Sequence, residues 1–107
     1  MGEDEEVINV DVDAATAKGY GDQKMDAGDY QGAIYNYLDA LDQNPDAEMS
    51  ERLHYNLANA YRHLGDSANC MEHAKIVVRS HNDEWSVYGL RLFYWASTGE
   101  ELDRLSG

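Results

Sequence analysis

One cysteine, one proline and one phenylalanine occur in the 107 residues, and eight lysines and arginines stand against 21 aspartates and glutamates. Cys70 alone cannot close an internal disulfide, which removes the stapled scaffolds of small secreted domains. A single proline and nine glycines are too few breakers for a sandwich or barrel of many short strands. No apolar run approaches the roughly 18 residues of a membrane span. The formal net charge of −13 opposes nucleic acid and anionic membrane surfaces as partners, because both carry the same sign. The opening Met1-Gly-Glu-Asp-Glu-Glu-Val is acidic where a secretory or mitochondrial leader is basic, and Glu6 stands where N-myristoylation needs Ser or Thr. The expectation is a soluble, cytoplasmic protein with neither nucleic acid nor membrane among its partners.

What is present points to helices. Hydrophobic residues make up 43% of the chain, too many for a disordered polymer, and the length suits one domain. Residues 1–13 read as an acidic flexible N-terminal arm, with six acids and no base. Within it Val7, Ile8, Val10 and Val12 alternate, so the arm is either a frayed terminus or a segment that pairs or docks in extended form. From residue 14 the apolar period is that of a helix. Tyr30, Ala33, Ile34, Tyr37 and Leu41 make one stripe, ending near Pro45; Leu53, Leu57, Tyr61 and Leu64 make another, capped by Asp46 and stopped by Gly65. Cys70, Met71, Ala74, Val77 and Val78 form a third, and Trp85, Tyr88, Gly89, Leu92 and Trp95 a fourth. Residues 14–27 are expected to be helical too, although Gly19 and Gly21 each cost about 0.8–1 kcal/mol there relative to Ala.

The chain repeats itself. Gly28-Asp29 recurs as Gly65-Asp66 and, more loosely, as Gly99-Glu100, at separations of 37 and 34 residues. In each pair glycine supplies the left-handed residue that closes one helix, and the acid starts the next with a charge that suits the helix dipole. Antiparallel helix hairpins follow.

Gly21, Gly28-Asp29-Tyr30, Ala33-Ile34, Tyr37, Ala40-Leu41 and Pro45, then Tyr55-Asn-Leu-Ala-Asn-Ala-Tyr61, Gly65-Asp66 and Ala74, resemble two copies of the tetratricopeptide repeat. Trp85-x-x-Tyr88-Gly89-x-x-Leu92 fits the opening of a third. The pattern departs from the family at Lys24, which stands in place of an aromatic, and at Cys70, which stands in place of Ala. A three-residue surplus in 46–50 should lengthen the start of the third helix. The resemblance implies an all-α fold of antiparallel hairpins stacked as a short right-handed α-solenoid. It comprises two full repeats (about 14–47 and 48–82) and a truncated third (83–107), whose last helix is expected at 100–105.

Stacked hairpins of this kind leave the first helix of each pair lining a concave groove. On the face away from its apolar stripe the third helix presents Arg52, Tyr55, Asn56, Asn59, Arg62 and His63, and the first helix adds Lys18 and Asp22. Asparagine amides bond a peptide backbone, and Arg52, Arg62 and Lys18 suit carboxylates, so the expected partner is a protein or peptide with acidic or C-terminal carboxylate groups. Lys18 and Asn56 also coincide with two of the five polar positions of the carboxylate clamp known within the family. Asp22, Ser86 and Leu90 occupy the other three without the clamp's chemistry. The arm's Glu5-Glu6-Val7 and Val10-Asp11-Val12-Asp13 make it a candidate for its own groove, because tethering raises effective concentration.

The residues supply no catalytic constellation: there is no phosphate loop, no nucleophile elbow and no paired Cys or His at metal-ligand spacing. Cys70, His54, His63, His73 and His81 therefore read as structural, and neither cofactor nor metal is expected. The aromatics Trp85, Tyr88, Phe93, Tyr94 and Trp95 occupy more than one face of a single helix. They are covered either by the chain's own last helix or by a homo-oligomer or partner docking there. The function expected is a non-catalytic adaptor with a peptide-binding groove; the alternative is a self-assembly module built on those aromatics.

Overall fold

The computed structural model describes residues 13–100. The arm, the alternating valines and the helix expected at 100–105 lie wholly or mostly outside these residues. Five helices follow one another, and no strand is present among the described residues: α1 (Ala14–Asp26), α2 (Tyr30–Asp42), α3 (Ala47–Leu64), α4 (Ser67–Val78) and α5 (Asp83–Thr98).

Every helix begins on a side-chain cap. Asp13, Asp29, Asp46 and Asp66 accept from the backbone N–H three residues ahead at 2.8, 2.9, 2.9 and 3.2 Å, and Asn82 does the same for Trp85 at 3.1 Å. Each such bond satisfies one of the orphan donors of a first turn. Helices α1, α3 and α5 are followed by Gly28, Gly65 and Gly99 at φ near +80°, a region that costs a residue with a side chain about 1–2 kcal/mol. The repeated Gly-Asp pairs thus do at 28–29 and 65–66 what their sequence implies: one closes a helix, the other opens the next. Asn44 at φ 54 and Pro45 end α2. At 18 residues α3 is the longest helix, as the surplus in 46–50 anticipates.

Consecutive helices pack against each other, and α3 additionally touches both α1 and α5, whereas α2 and α4 do not meet. One core joins Ala17, Ala33, Ile34, Tyr37, Ala40, Leu53, Leu57 and Ala60; a second joins Ala58, Cys70, Ala74 and Leu92. Tyr61 packs on both and links them. The small residues allow close approach. A Cβ added to Gly89 would meet the Val78 backbone nitrogen at 2.7 Å, so glycine is what lets α5 lie on the end of α4. The apolar stripes bury mainly their middles: Leu53 and Leu57 are inaccessible, while Leu64, in the last turn of α3, is 46% exposed.

Candidate functional site

Because α3 touches both α1 and α5, these three helices carry the side chains of the candidate site. On α1, one turn separates Lys18 from Asp22, and the Lys18 Nζ lies 2.9 Å from Asp22 Oδ2. The other oxygen, Asp22 Oδ1, accepts the hydroxyl of Tyr37 from α2 at 2.6 Å. Tyr37 is inaccessible, and burial first, then the Asp22 bond, pushes its ionisation far above the ordinary tyrosine range. Asp22 is thus anchored to the core side as well as to Lys18.

On α3, Arg52 pairs with Glu48 at 3.2 Å in the first turns. Near its C-terminus the Arg62 guanidinium stands 5.7 Å from the centroid of the Trp95 ring. The charge of each of these bases is therefore met by an acid or an aromatic face. Asn56 and Asn59, one turn apart on the same helix, are half-buried, and no described residue hydrogen-bonds their side-chain amides.

Tyr55 turns toward α5. Its ring meets Trp85 edge-on at 5.2 Å and Tyr88 at 5.7 Å, and Trp85 and Tyr88 stand perpendicular to each other at 5.5 Å. Burial, then the neighbouring Tyr88, raises the ionisation of Tyr55, and Arg62 opposes that rise. The structure so joins one member of the expected groove to two members of the expected assembly surface, and all three are half-buried. Phe93 and Trp95 pack on the second core, and Tyr94 is half-buried on the other side of α5. His63 is set apart from the groove residues: its ring lies parallel to that of Tyr30 on α2, with centroids 4.5 Å apart. Of the remaining clamp positions, Ser86 donates its hydroxyl to the Val78 carbonyl at 2.9 Å and Leu90 faces outward, 39% exposed.

Sequence reasoning did not find the cavity beside the α2–α3 link. About 450 Å³ opens between the start of α1, the Gln43–Asp46 link and the first turns of α3, with Arg52 and Met49 in its wall. The surplus at 46–50, read only as lengthening α3, supplies part of its wall. Nor did it find the pairing of His54 with His73, whose Nδ1 atoms are 2.9 Å apart. Cys70 is fully buried, its thiol is directed at the Leu92 carbonyl at 3.8 Å, and burial raises its pKa to about 11, so the nucleophilic thiolate is scarce at neutral pH. Among the described residues no three His, Cys, Asp or Glu converge as metal ligands, and no helix is long and apolar enough to cross a membrane.

Compared with family models, with curated proteins and with solved structures, the chain gives no match.

Proposed function

We propose that the chain is a non-catalytic adaptor of tetratricopeptide-repeat type, a short right-handed α-solenoid whose α1, α3 and α5 line a groove for an extended peptide. The observation that carries this reading is the pair Asn56 and Asn59. These amides on the central helix are half-buried and unbonded among the described residues, a placement suited to an incoming backbone's N–H and C=O groups. Lys18 on α1 and Arg52 and Arg62 on α3 favour a ligand with carboxylates, which would compete with Asp22, Glu48 and the Trp95 ring for them, and Asp22 limits that preference. A cytoplasmic setting accords with a single buried thiol.

The test is selection from a displayed library of acidic peptides, with free and blocked C-termini, against the wild type and an Asn56→Ala/Asn59→Ala variant of unchanged helix content. Enriched peptides that bind the variant at least roughly tenfold more weakly support the groove, the loss expected for two amide hydrogen bonds at about 1 kcal/mol each. Peptides that bind both proteins equally, or no enrichment at all, overturn it.

A further inference from the structure

Two helix faces left uncovered among the described residues have the same spacing and opposite charge. On α2, Tyr35, Leu38, Asp39 and Asp42 fall at i, i+3, i+4 and i+7, one exposed stripe, with Tyr35 at 68% and Leu38 at 39% exposure. On α5, Val87, Leu90, Arg91 and Tyr94 fall at the same intervals, with Val87 and Leu90 each 39% exposed. Beside that second stripe the α4–α5 seam opens a cleft of about 270 Å³ lined by Val78, Leu90 and Phe93, with Lys75 and Arg79 at its rim.

Charge separates these faces from the rest of the surface. Lys18, Lys24, Arg52 and Lys75 each have an acid of this chain within 4 Å, and Arg62 has its own contacts. Arg79 and Arg91 form no ion pair among the described residues, in a chain with far more acids than bases. Asp39 and Asp42 sit in the last turn of α2, which carries no base, so they oppose the partial negative charge of the helix end. Two arginines in want of acids, and two aspartates placed where a cation stabilises, lie beside apolar residues of matching period.

We propose that the α2 stripe of one copy of this chain docks on the α4–α5 face of a second copy, its Tyr35 and Leu38 against Leu90 and the cleft, and its Asp39 and Asp42 against Arg91 and Arg79. The two faces differ, so the contact is heterologous: each bound copy offers a fresh face, and chains or a ring form. This association does not rest on the groove reading: apart from Leu90, a clamp position that faces outward at 39% exposure, none of its residues belongs to the expected groove.

Sedimentation equilibrium of the full chain from about 10 μM to 1 mM at low salt provides the test, in the range where small, partly charged contacts dissociate. Weight-average mass should rise with concentration and fall back at about 1 M salt, where the screening length is about 3 Å. Leu90→Glu with Arg91→Glu disables one face, and Tyr35→Glu with Leu38→Glu the other. Each variant alone should sediment as a monomer, and their mixture as a 1:1 dimer that grows no further, since each partner keeps the face the other lost. A wild type that stays monomeric throughout, either variant associating like the wild type, or a mixture that stays monomeric overturns the proposal. Arg79→Ala with Arg91→Ala, a milder change, should weaken association roughly tenfold, and no weakening counts against the charge pairing.

Discussion

His54 of α3 and His73 of α4 bring their Nδ1 atoms together across the second hairpin. Their Nδ1 atoms are 2.9 Å apart and their ring centroids 5.2 Å apart, and the difference is about two ring radii. The two nitrogens therefore point at each other along one line rather than at a common third point, so the contact is an N–H···N hydrogen bond and not a chelate. A bond between two neutral rings requires one to carry its hydrogen on Nδ1 and the other on Nε2. A second proton between them puts two N–H groups head to head. Tyr61 lies parallel to His73 at 5.8 Å on the α3 side, and Glu72 is the acid whose charge acts on His73.

Acid should loosen this hairpin. Burial, then the charge of His54, lowers the His73 pKa to about 4 against Glu72, and burial lowers that of His54. Both folded values lie below the unfolded one, so the unfolded chain binds more protons as the pH falls. The stability from this pair is complete above about pH 6.5 and is lost progressively toward pH 4, with the unfolding equilibrium shifting up to roughly tenfold per pH unit for each proton taken up. Denaturant melts at pH 7, 6 and 5 should show that slope in the wild type and a smaller one in His73→Phe, which keeps a ring beside Tyr61. Equal slopes would count against a neutral pair.

Two glycines of similar helical position should respond in opposite directions to alanine. Gly89→Ala drives a methyl into the Val77–Val78 backbone, which cannot swing aside, and should destabilise by about 1–3 kcal/mol. Gly19 has nothing within 4 Å of an added Cβ, so Gly19→Ala should stabilise by about 0.5–1 kcal/mol through the lower backbone entropy of the unfolded chain. Thermal melts of the two variants check both signs.

The features legible in the sequence are those set by neighbours along the chain. Gly65 with Asp66, or Pro45 with Asp46, fixes a helix end whatever the rest of the molecule does, and Leu53 with Leu57 fixes which side of α3 is buried. What could not be read is how each helix is rotated against a neighbour across a hairpin, since one residue turns the face by about 100°. The Asp22–Tyr37 bond, the His54–His73 pair and the turn of Tyr55 into Trp85 and Tyr88 all depend on that angle. So does His63: four and three residues from Asn59 and Ala60 in sequence, it is rotated onto Tyr30 while Arg62, its neighbour, reaches Trp95. The frame of the expected third repeat is the least legible, because ten residues separate Gly89 from Gly99.

Removal of one hydroxyl should test the α1–α2 link. Tyr37→Phe keeps the buried ring but deletes the donor to Asp22 Oδ1, leaving that carboxylate with Lys18 and solvent. A loss of about 1–2 kcal/mol is expected, more than for a surface bond because the hydroxyl is dry. Lys18→Met, which removes only the half-exposed ion pair, should change stability by less than about 1 kcal/mol. If the two substitutions have equal effects in urea melts, the Tyr37 hydroxyl is not the principal tie.

Cys70 should behave as a reporter of global opening. It fills a gap between Ala58, Ala74 and Leu92, and its thiol stays protonated to about pH 11. Alkylation by iodoacetamide at pH 8 requires both exposure and a thiolate, and the folded chain supplies neither. The labelling rate should therefore track the unfolded fraction, rising with urea in step with loss of helix, and rising in Gly89→Ala by the factor that its lowered stability predicts, about tenfold per 1.4 kcal/mol. Cys70→Ala opens only the volume of one sulfur and should cost about 1 kcal/mol, whereas Cys70→Leu should overpack the α3–α4–α5 junction. Fast labelling in the absence of denaturant would show that α5 does not stay closed over this site.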